Sequence, residues 1–197
     1  LVGSDGDRLF LRTDLDAPRG RIVAVVVRDP ARREEIVGER EEILRSANLV
    51  GDRFVASYLK DASSQVVLYD LDGEPAGAVE LPGIGTASGF EGRRDDEETF
   101  FTFRGFTTPA QVYRLELPAG RTTLLRAPEV AFDPDDFVTE QVFFSSADGT
   151  RVPMFLTHRT DLTTDGDNPV ILFGYGGFNA AYVPRFSLSA IAWMEMG

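Results

Sequence analysis

At 197 residues, with 43% hydrophobic and 26% charged residues, the chain has a globular composition and room for one large domain or two small ones. A formal net charge of −12 argues against binding nucleic acid or an anionic membrane surface, both of which need clustered cations, and no apolar run approaches the ~18 residues of a membrane-spanning helix. Without cysteine there are no disulfides, thiolate metal sites or cysteine nucleophiles, a composition that suits either a reducing or an oxidising compartment.

The first two-thirds of the chain repeat. Leu9–Asp14 and Ile22–Val27, then Phe54–Leu59 and Val66–Leu71, then Thr99–Phe103 and Gln111–Leu115 each read as two apolar strands around a polar turn. Aligning Ile22, Val66 and Val112 gives a period of roughly 45 residues, within the range of β-propeller blades. Turn signals such as Leu71-Asp72-Gly73 and Pro118-Ala119-Gly120 punctuate the strands. A blade is a four-stranded antiparallel sheet that must stack on its neighbours to bury its faces. Three such units do not close a ring, so further blades are expected upstream of Leu1, which is itself not a Met. A β-sandwich with coincidental spacing is the alternative.

The repeat stops near Ala127–Asp136, where two prolines and three aspartates suit a domain crossing. A hairpin is expected next, with Val138–Ser145 and Val152–His158 joined by a turn at Asp148-Gly149. Thr160–Asn168 reads as a polar loop. Pro169-Val170-Ile171-Leu172-Phe173 then reads as a buried parallel strand, breaking into the glycine-rich Gly174-Tyr175-Gly176-Gly177-Phe178-Asn179. Gly176 and Gly177 permit a positive φ or a close ligand approach, and a tyrosine beside them can aim its hydroxyl at a developing negative charge. Ser187–Met196 reads as a helix with Ser187 as N-cap and with Leu188, Ile191 and Ala192 on one face.

Other chemistry-bearing residues have ordinary readings. No G-x-S-x-G nucleophile elbow occurs. His158 is the one histidine and reads as a strand-edge residue; Ser145, Ser146, Ser187 and Ser189 read as turn and cap residues. Asp95-Asp96-Glu97-Glu98, Arg32-Arg33-Glu34-Glu35 and Glu39-Arg40-Glu41-Glu42 read as solvated charge, and Gly83–Gly89 as an inter-strand connection lacking the Lys-Ser/Thr of a phosphate loop.

Gly174-Tyr175-Gly176-Gly177-Phe178-Asn179 after its apolar strand resembles the corresponding segment of the prolyl oligopeptidase family of serine peptidases. Gln141–Leu156, with Ser146-Ala147-Asp148-Gly149-Thr150 and Val152-Pro153-Met154-Phe155, resembles the opening of that family's catalytic domain. The resemblance implies a mixed fold, the last blades of an all-β propeller over residues 1–133 followed by the start of an α/β-hydrolase domain over 134–197. It implies a serine endopeptidase that cleaves short peptides on the carboxyl side of proline through a Ser-Asp-His triad and an acyl-enzyme. In the family, the tyrosine at the position of Tyr175 donates its hydroxyl to the oxyanion, and the phenylalanine at that of Phe178 lines the proline pocket. The triad residues do not occur in this chain, so the segment alone is expected to be inactive.

No cofactor or metal is implied. The expected partners are short proline-containing peptides, with no nucleic acid and no membrane; the expected state is a monomer, cytoplasmic or alternatively periplasmic. Two alternatives remain open. One is an oligopeptidase B-like enzyme cutting after Arg or Lys, and the Gly177-Phe178-Asn179 continuation favours the proline-specific branch. The other is a non-catalytic propeller that binds proteins, which would have no need for the Asp148–Phe178 region.

Overall fold

The computed structural model describes residues 1–178 and 180–196. Three four-stranded antiparallel sheets follow one another along the chain, each a simple up-and-down meander. The first holds β1 (Gly3–Asp5), β2 (Arg8–Thr13), β3 (Arg21–Val26) and β4 (Asp29–Val37). The second holds β5 (Ile43–Val50), β6 (Arg53–Lys60), β7 (Ser63–Tyr69) and β8 (Pro75–Val79). The third holds β9 (Thr86–Glu91), β10 (Glu98–Arg104), β11 (Gln111–Glu116) and β12 (Arg121–Arg126). This is the blade pattern that the repeat predicts. The sequence reading found the two middle strands of each sheet and missed the outer pair.

The sheets pack face to face through two apolar layers. Phe10, Ile22, Ala24, Ile36 and Val37 of the first sheet meet Leu44, Phe54, Ala56, Tyr58 and Val67 of the second. Val55, Val66 and Leu68 on the second sheet's other face meet Phe90, Phe101, Phe103 and Leu115 of the third. The middle sheet is therefore buried on both sides, which is why Phe54–Tyr58 is a continuous buried run. In β10 the pattern alternates: Thr99, Phe101 and Phe103 are buried while Phe100 faces outward, 46% exposed. Aromatic rings dominate the layers, with Phe10 edge-on to Phe54 at 4.9 Å and Phe101 stacked between Phe90 (4.7 Å) and Tyr113 (5.2 Å).

Two devices fix one sheet on the next. At one end of the blades, Arg94 in the β9–β10 loop donates to Asp5 at the end of β1 (2.7 Å) and to Asp52 in the β5–β6 turn (2.7 Å), so that one guanidinium ties all three sheets. In the second sheet's β7–β8 turn, Asp70 accepts from the backbone of Asp72 and Glu74, and Gly73 (φ 86°) presses on the first sheet so closely that a Cβ there would collide with the Ile36 carbonyl.

In the Glu39–Glu42 run, Glu39 and Glu41 are exposed as the sequence suggests, but Arg40 and Glu42 are half-buried. Arg40 donates to the hydroxyl of Tyr69 (3.0 Å), lies over the Tyr58 ring (4.7 Å) and pairs with Glu42 (3.1 Å). The buried Tyr58 and Tyr69 hydroxyls are in turn 3.1 Å apart. Burial, and then the Tyr69 hydrogen bond, push the Tyr58 phenol well above its ordinary range. The Arg32–Glu35 run does sit on a strand edge, in the outer strand β4, where Glu34 and Glu35 pair with Arg8 and Arg21.

After the third sheet, β13 (Phe137–Ser145) and β14 (Arg151–Arg159) form the expected hairpin, in continuous register from Phe137↔Arg159 to Ser145↔Arg151. Its turn is built as the Asp-Gly pair predicts: Gly149 takes φ 84° and the Asp148 carboxylate accepts from the Thr150 backbone at 3.0 Å. The hairpin rests on the β6–β7 turn, where Asp61 receives Gln141 through its carbonyl and Arg151 through its carboxylate (3.5 Å).

The chain then departs from expectation. The described residues between 160 and 187 hold no strand, and α1 (Leu188–Glu195) closes the described chain. No parallel sheet is present among the described residues, so the apolar run Val170–Phe173 has no strand to pair with and stands 60–84% exposed. Ser187 is the N-cap of α1 by position, but its hydroxyl meets that of Ser189 (2.9 Å) instead of capping the helix. Ile191 is buried as predicted, whereas Leu188 and Ala192 are exposed.

Candidate active site

The segment that carries Tyr175 is anchored on both sides and open in the middle. On its N-terminal side, Phe173 packs on Tyr182 with ring centres 4.6 Å apart. Tyr182 in turn stacks on Phe106 of the β10–β11 loop (6.4 Å) and lies under the Arg185 guanidinium (4.9 Å). Phe106 also packs on Phe155 of β14 at 5.2 Å, so one aromatic cluster joins the third blade, the hairpin and this segment. On the C-terminal side, the buried Pro184 accepts a hydrogen bond from Thr86, the first residue of β9, at 2.7 Å. Phe186 stacks on Phe132, which is edge-on to Phe137 of the hairpin.

Between these anchors, residues 174–178 carry their functional groups into solvent. Tyr175 is 55% exposed and Phe178 98% exposed. The Tyr175 hydroxyl folds back over Gly177, where a Cβ would stand 3.2 Å from it; glycine leaves the ring that space. Gly174 and Gly176 have no neighbour that a Cβ would meet. The left-handed residue of this turn is Phe178 (φ 55°), not the glycines to which the sequence reading gave that freedom. The turn is closed by the Ala180 N–H donating to the Gly177 carbonyl at 3.1 Å. Asn179, the last residue of the motif, lies outside the described residues. Chemically the arrangement offers one neutral hydroxyl donor and one bare aromatic face on the same short turn.

The other candidates are elsewhere. His158 sits on β14 opposite Val138, with its Nδ1 2.7 Å from the Arg159 carbonyl. Among the described residues no serine hydroxyl reaches it, and no group of three acidic or histidine side chains is placed to hold a metal. The acids at 95–98 serve the fold: Asp96 accepts from the Arg93 backbone (2.7 Å) and Glu98 pairs with Arg114. Gly83–Gly85 connects β8 to β9, and a Cβ at Gly85 would strike the Phe103 ring. No described helix is long and apolar enough to cross a membrane.

Sequence reasoning missed the residues that hold the candidate turn: Phe106, Phe132, Tyr182 and Phe186. The one available signal was the aromatic density of Tyr182-Val183-Pro184-Arg185-Phe186, unusual in a segment with no strand or helix pattern.

Comparison with known proteins places the chain in the prolyl oligopeptidase family. The family described as prolyl oligopeptidase, N-terminal beta-propeller domain, matches residues 1–128. The prolyl endopeptidase of Elizabethkingia miricola is 40% identical over 199 aligned residues, covering 100% of this chain and 28% of the relative. The dual function macrocyclase-peptidase of Galerina marginata is 29% identical, covering 99% of this chain and 28% of the relative. Among solved structures, a prolyl endopeptidase from an analysis of inter-domain dynamics in two such enzymes superimposes with a TM-score of 0.89 at 40% identity, covering 98% of this chain and 29% of that one. Prolyl oligopeptidase B from Galerina marginata, bound to a 35mer hydrolysis and macrocyclization substrate, gives 0.87 at 28% identity, over 98% of this chain and 28% of that one. The chain thus spans just over a quarter of the length of the relatives it matches.

Proposed function

Because the chain belongs to the prolyl oligopeptidase family, we propose that it is part of a serine endopeptidase that hydrolyses short peptides on the carboxyl side of proline. Residues 1–133 are propeller in this reading, and residues 134–197 begin the hydrolytic domain. The observation that carries it is the turn at 174–178: a tyrosine hydroxyl and a phenylalanine ring, both open to solvent, on a backbone anchored by Tyr182 and Pro184. Tyr175 donates its hydroxyl to the oxyanion that forms when the serine oxygen adds to the scissile carbonyl. A donor of this kind contributes about 3–4 kcal/mol to the transition state. Phe178 supplies a flat apolar wall for the rigid proline ring. The serine nucleophile, its histidine base and the orienting aspartate come from outside residues 1–197, and acyl transfer through serine calls for no cofactor.

The run Val170–Phe173 fits the same reading. It is apolar, exposed and unpaired, as a strand is when the sheet it enters is not beside it. The test is a comparison, in the full-length protein, of matched peptides that differ only in proline or arginine before the scissile bond. Cleavage after proline is expected. Equal or faster cleavage after arginine overturns the assignment in favour of a basic-residue-specific oligopeptidase.

A further inference from the structure

The turn that carries Tyr175 does little to fix its own place. Its closing hydrogen bond runs from the Ala180 N–H to the Gly177 carbonyl, and Gly174 and Gly176 have no neighbour that a Cβ would meet. Its position therefore depends on the residues that flank it. Phe173 and Tyr182, one on each side, meet ring to ring at 4.6 Å and draw the base of the turn together. That pair is seated on the third blade. Tyr182 stacks on Phe106 (6.4 Å), and close by the Pro184 carbonyl accepts from the Thr86 hydroxyl at 2.7 Å. Proline has no N–H, so this carbonyl is the one backbone hydrogen-bonding group that the buried Pro184 offers, and the blade satisfies it.

Thr86 and Phe106 belong to one surface. Thr86 lies opposite Arg104 in the β9–β10 register, and the chain leaves β10 at Arg104 to reach Phe106. The surface is braced by two sheets. Ser64 in β7 of the second sheet brackets Thr86: its N–H donates to the Gly85 carbonyl (2.9 Å), and its hydroxyl accepts from the Ala87 N–H (3.0 Å). Gly85 lies so close to the Phe103 ring and the Arg104 carbonyl that it leaves no room for a side chain. The Gly105 N–H donates to the Thr108 carbonyl at 3.0 Å, Thr107 and Pro109 are buried, and Phe106 also packs on Phe155 of β14. A turn with few contacts of its own is thus seated on a stiff support from another part of the chain.

We propose that Thr86 and Phe106 are positioning residues for Tyr175: the end of the third blade sets the place of the turn, and with it the aim of the tyrosine hydroxyl. What the hydroxyl does there rests on the peptidase reading; that the blade holds the turn does not. Neither residue touches the reacting atoms. Each acts through Tyr182 or Pro184, so a blade that moves away from the turn lowers turnover while both parts stay folded. An oxyanion donor must be held to well within about 1 Å, whereas binding of the ground state is more forgiving.

The experiment is a double-mutant cycle in the full-length protein, with amide hydrogen exchange over residues 170–186 as a second readout. Phe106→Ala is expected to lower kcat about tenfold with a smaller change in KM, and to speed exchange in that segment. In a Tyr175→Phe background the same substitution is expected to cost less than about twofold, because the hydroxyl it positions is already gone. Thr86→Val removes the donor, keeps the branched shape, and is expected to act in the same direction with a smaller loss; it serves if Phe106→Ala does not fold. Equal losses of kcat in both backgrounds overturn the proposal, since the ring would then act independently of Tyr175. Unchanged exchange overturns it too, and a Tyr175→Phe variant with full kcat overturns it together with the oxyanion role. The cycle is run on whichever of the matched proline and arginine peptides is cleaved, so that losing the proline preference sinks the specificity reading and leaves the cycle readable. If neither peptide is cleaved the peptidase reading falls, and exchange decides: faster exchange in both variants sustains the blade as the support of the turn, and unchanged exchange overturns it.

Discussion

Phe54–Tyr58 in β6 and Val170–Phe173 are both short apolar runs, and they meet opposite fates. The first lies in a sheet covered on both faces and is wholly buried. The second has no strand beside it, and each of its residues is more than half exposed. Composition sets the demand for burial in both. What differs is whether a hydrogen-bonding neighbour and a covering layer exist among the same residues. The blades satisfy their own demand through two aromatic layers. The candidate turn is held instead by a few rings and one hydrogen bond at its flanks, leaving its functional groups free.

Paired substitutions sharpen that contrast. Phe54→Ala opens a cavity under Phe10 in a fully buried layer and is expected to cost about 3–5 kcal/mol in chemical denaturation. Phe173→Ala, on a 60% exposed ring, is expected to change blade stability by less than about 0.5 kcal/mol; a comparable loss at both sites would erase the distinction. Next comes Gly73→Ala, expected to cost about 2–3 kcal/mol, because the new Cβ must sit at a left-handed φ and displace the Ile36 carbonyl. Gly176→Ala meets nothing and is expected to leave the melting temperature of the blades in place. Arg94→Gln removes the clasp on Asp5 and Asp52. Since these groups are partly exposed and screened by solvent, about 1 kcal/mol is expected, shrinking as salt is raised; a salt-independent loss would mean that packing rather than charge is at work.

The smallest effect concerns pH. The Thr150 backbone hydrogen bond lowers the Asp148 carboxyl below its usual value. A depressed carboxyl stabilises above its unfolded pKa of about 3.9 and stops doing so as pH falls through the lower folded value. Hydrogen exchange at Thr150 is therefore expected to lose protection only in that acidic window, and Asp148→Ala is expected to abolish the pH dependence. Loss of protection nearer neutrality would contradict the assignment.

The middle strands of each blade were legible because aromatic and β-branched residues alternate there, as in Thr99–Phe103. The outer strand β4 was not, since its exposed Arg and Glu residues look like a loop until Arg8 and Arg21 are seen across from them. The edge strands β5 and β9 carry Ser46, Asn48, Ser88 and Gly89, too polar and small to register as strands. Arg40 reads as surface charge because nothing local reveals Tyr58 and Tyr69 above it. Tyr175 and Phe178 were legible as a motif, and the structure places both in solvent. Their support from Phe106 and Tyr182 was hidden, because it joins residues far apart in the chain through a segment without periodicity.

The proposed division of labour gives the scaffold to the stacked blades and the chemistry to the 174–178 turn. Measuring kcat and thermal unfolding together for Tyr175→Phe in the full-length protein tests it most directly. The account predicts a fall in kcat of about a hundredfold or more with the unfolding midpoint unchanged. An unchanged kcat, with the chemical step rate-limiting, would contradict it.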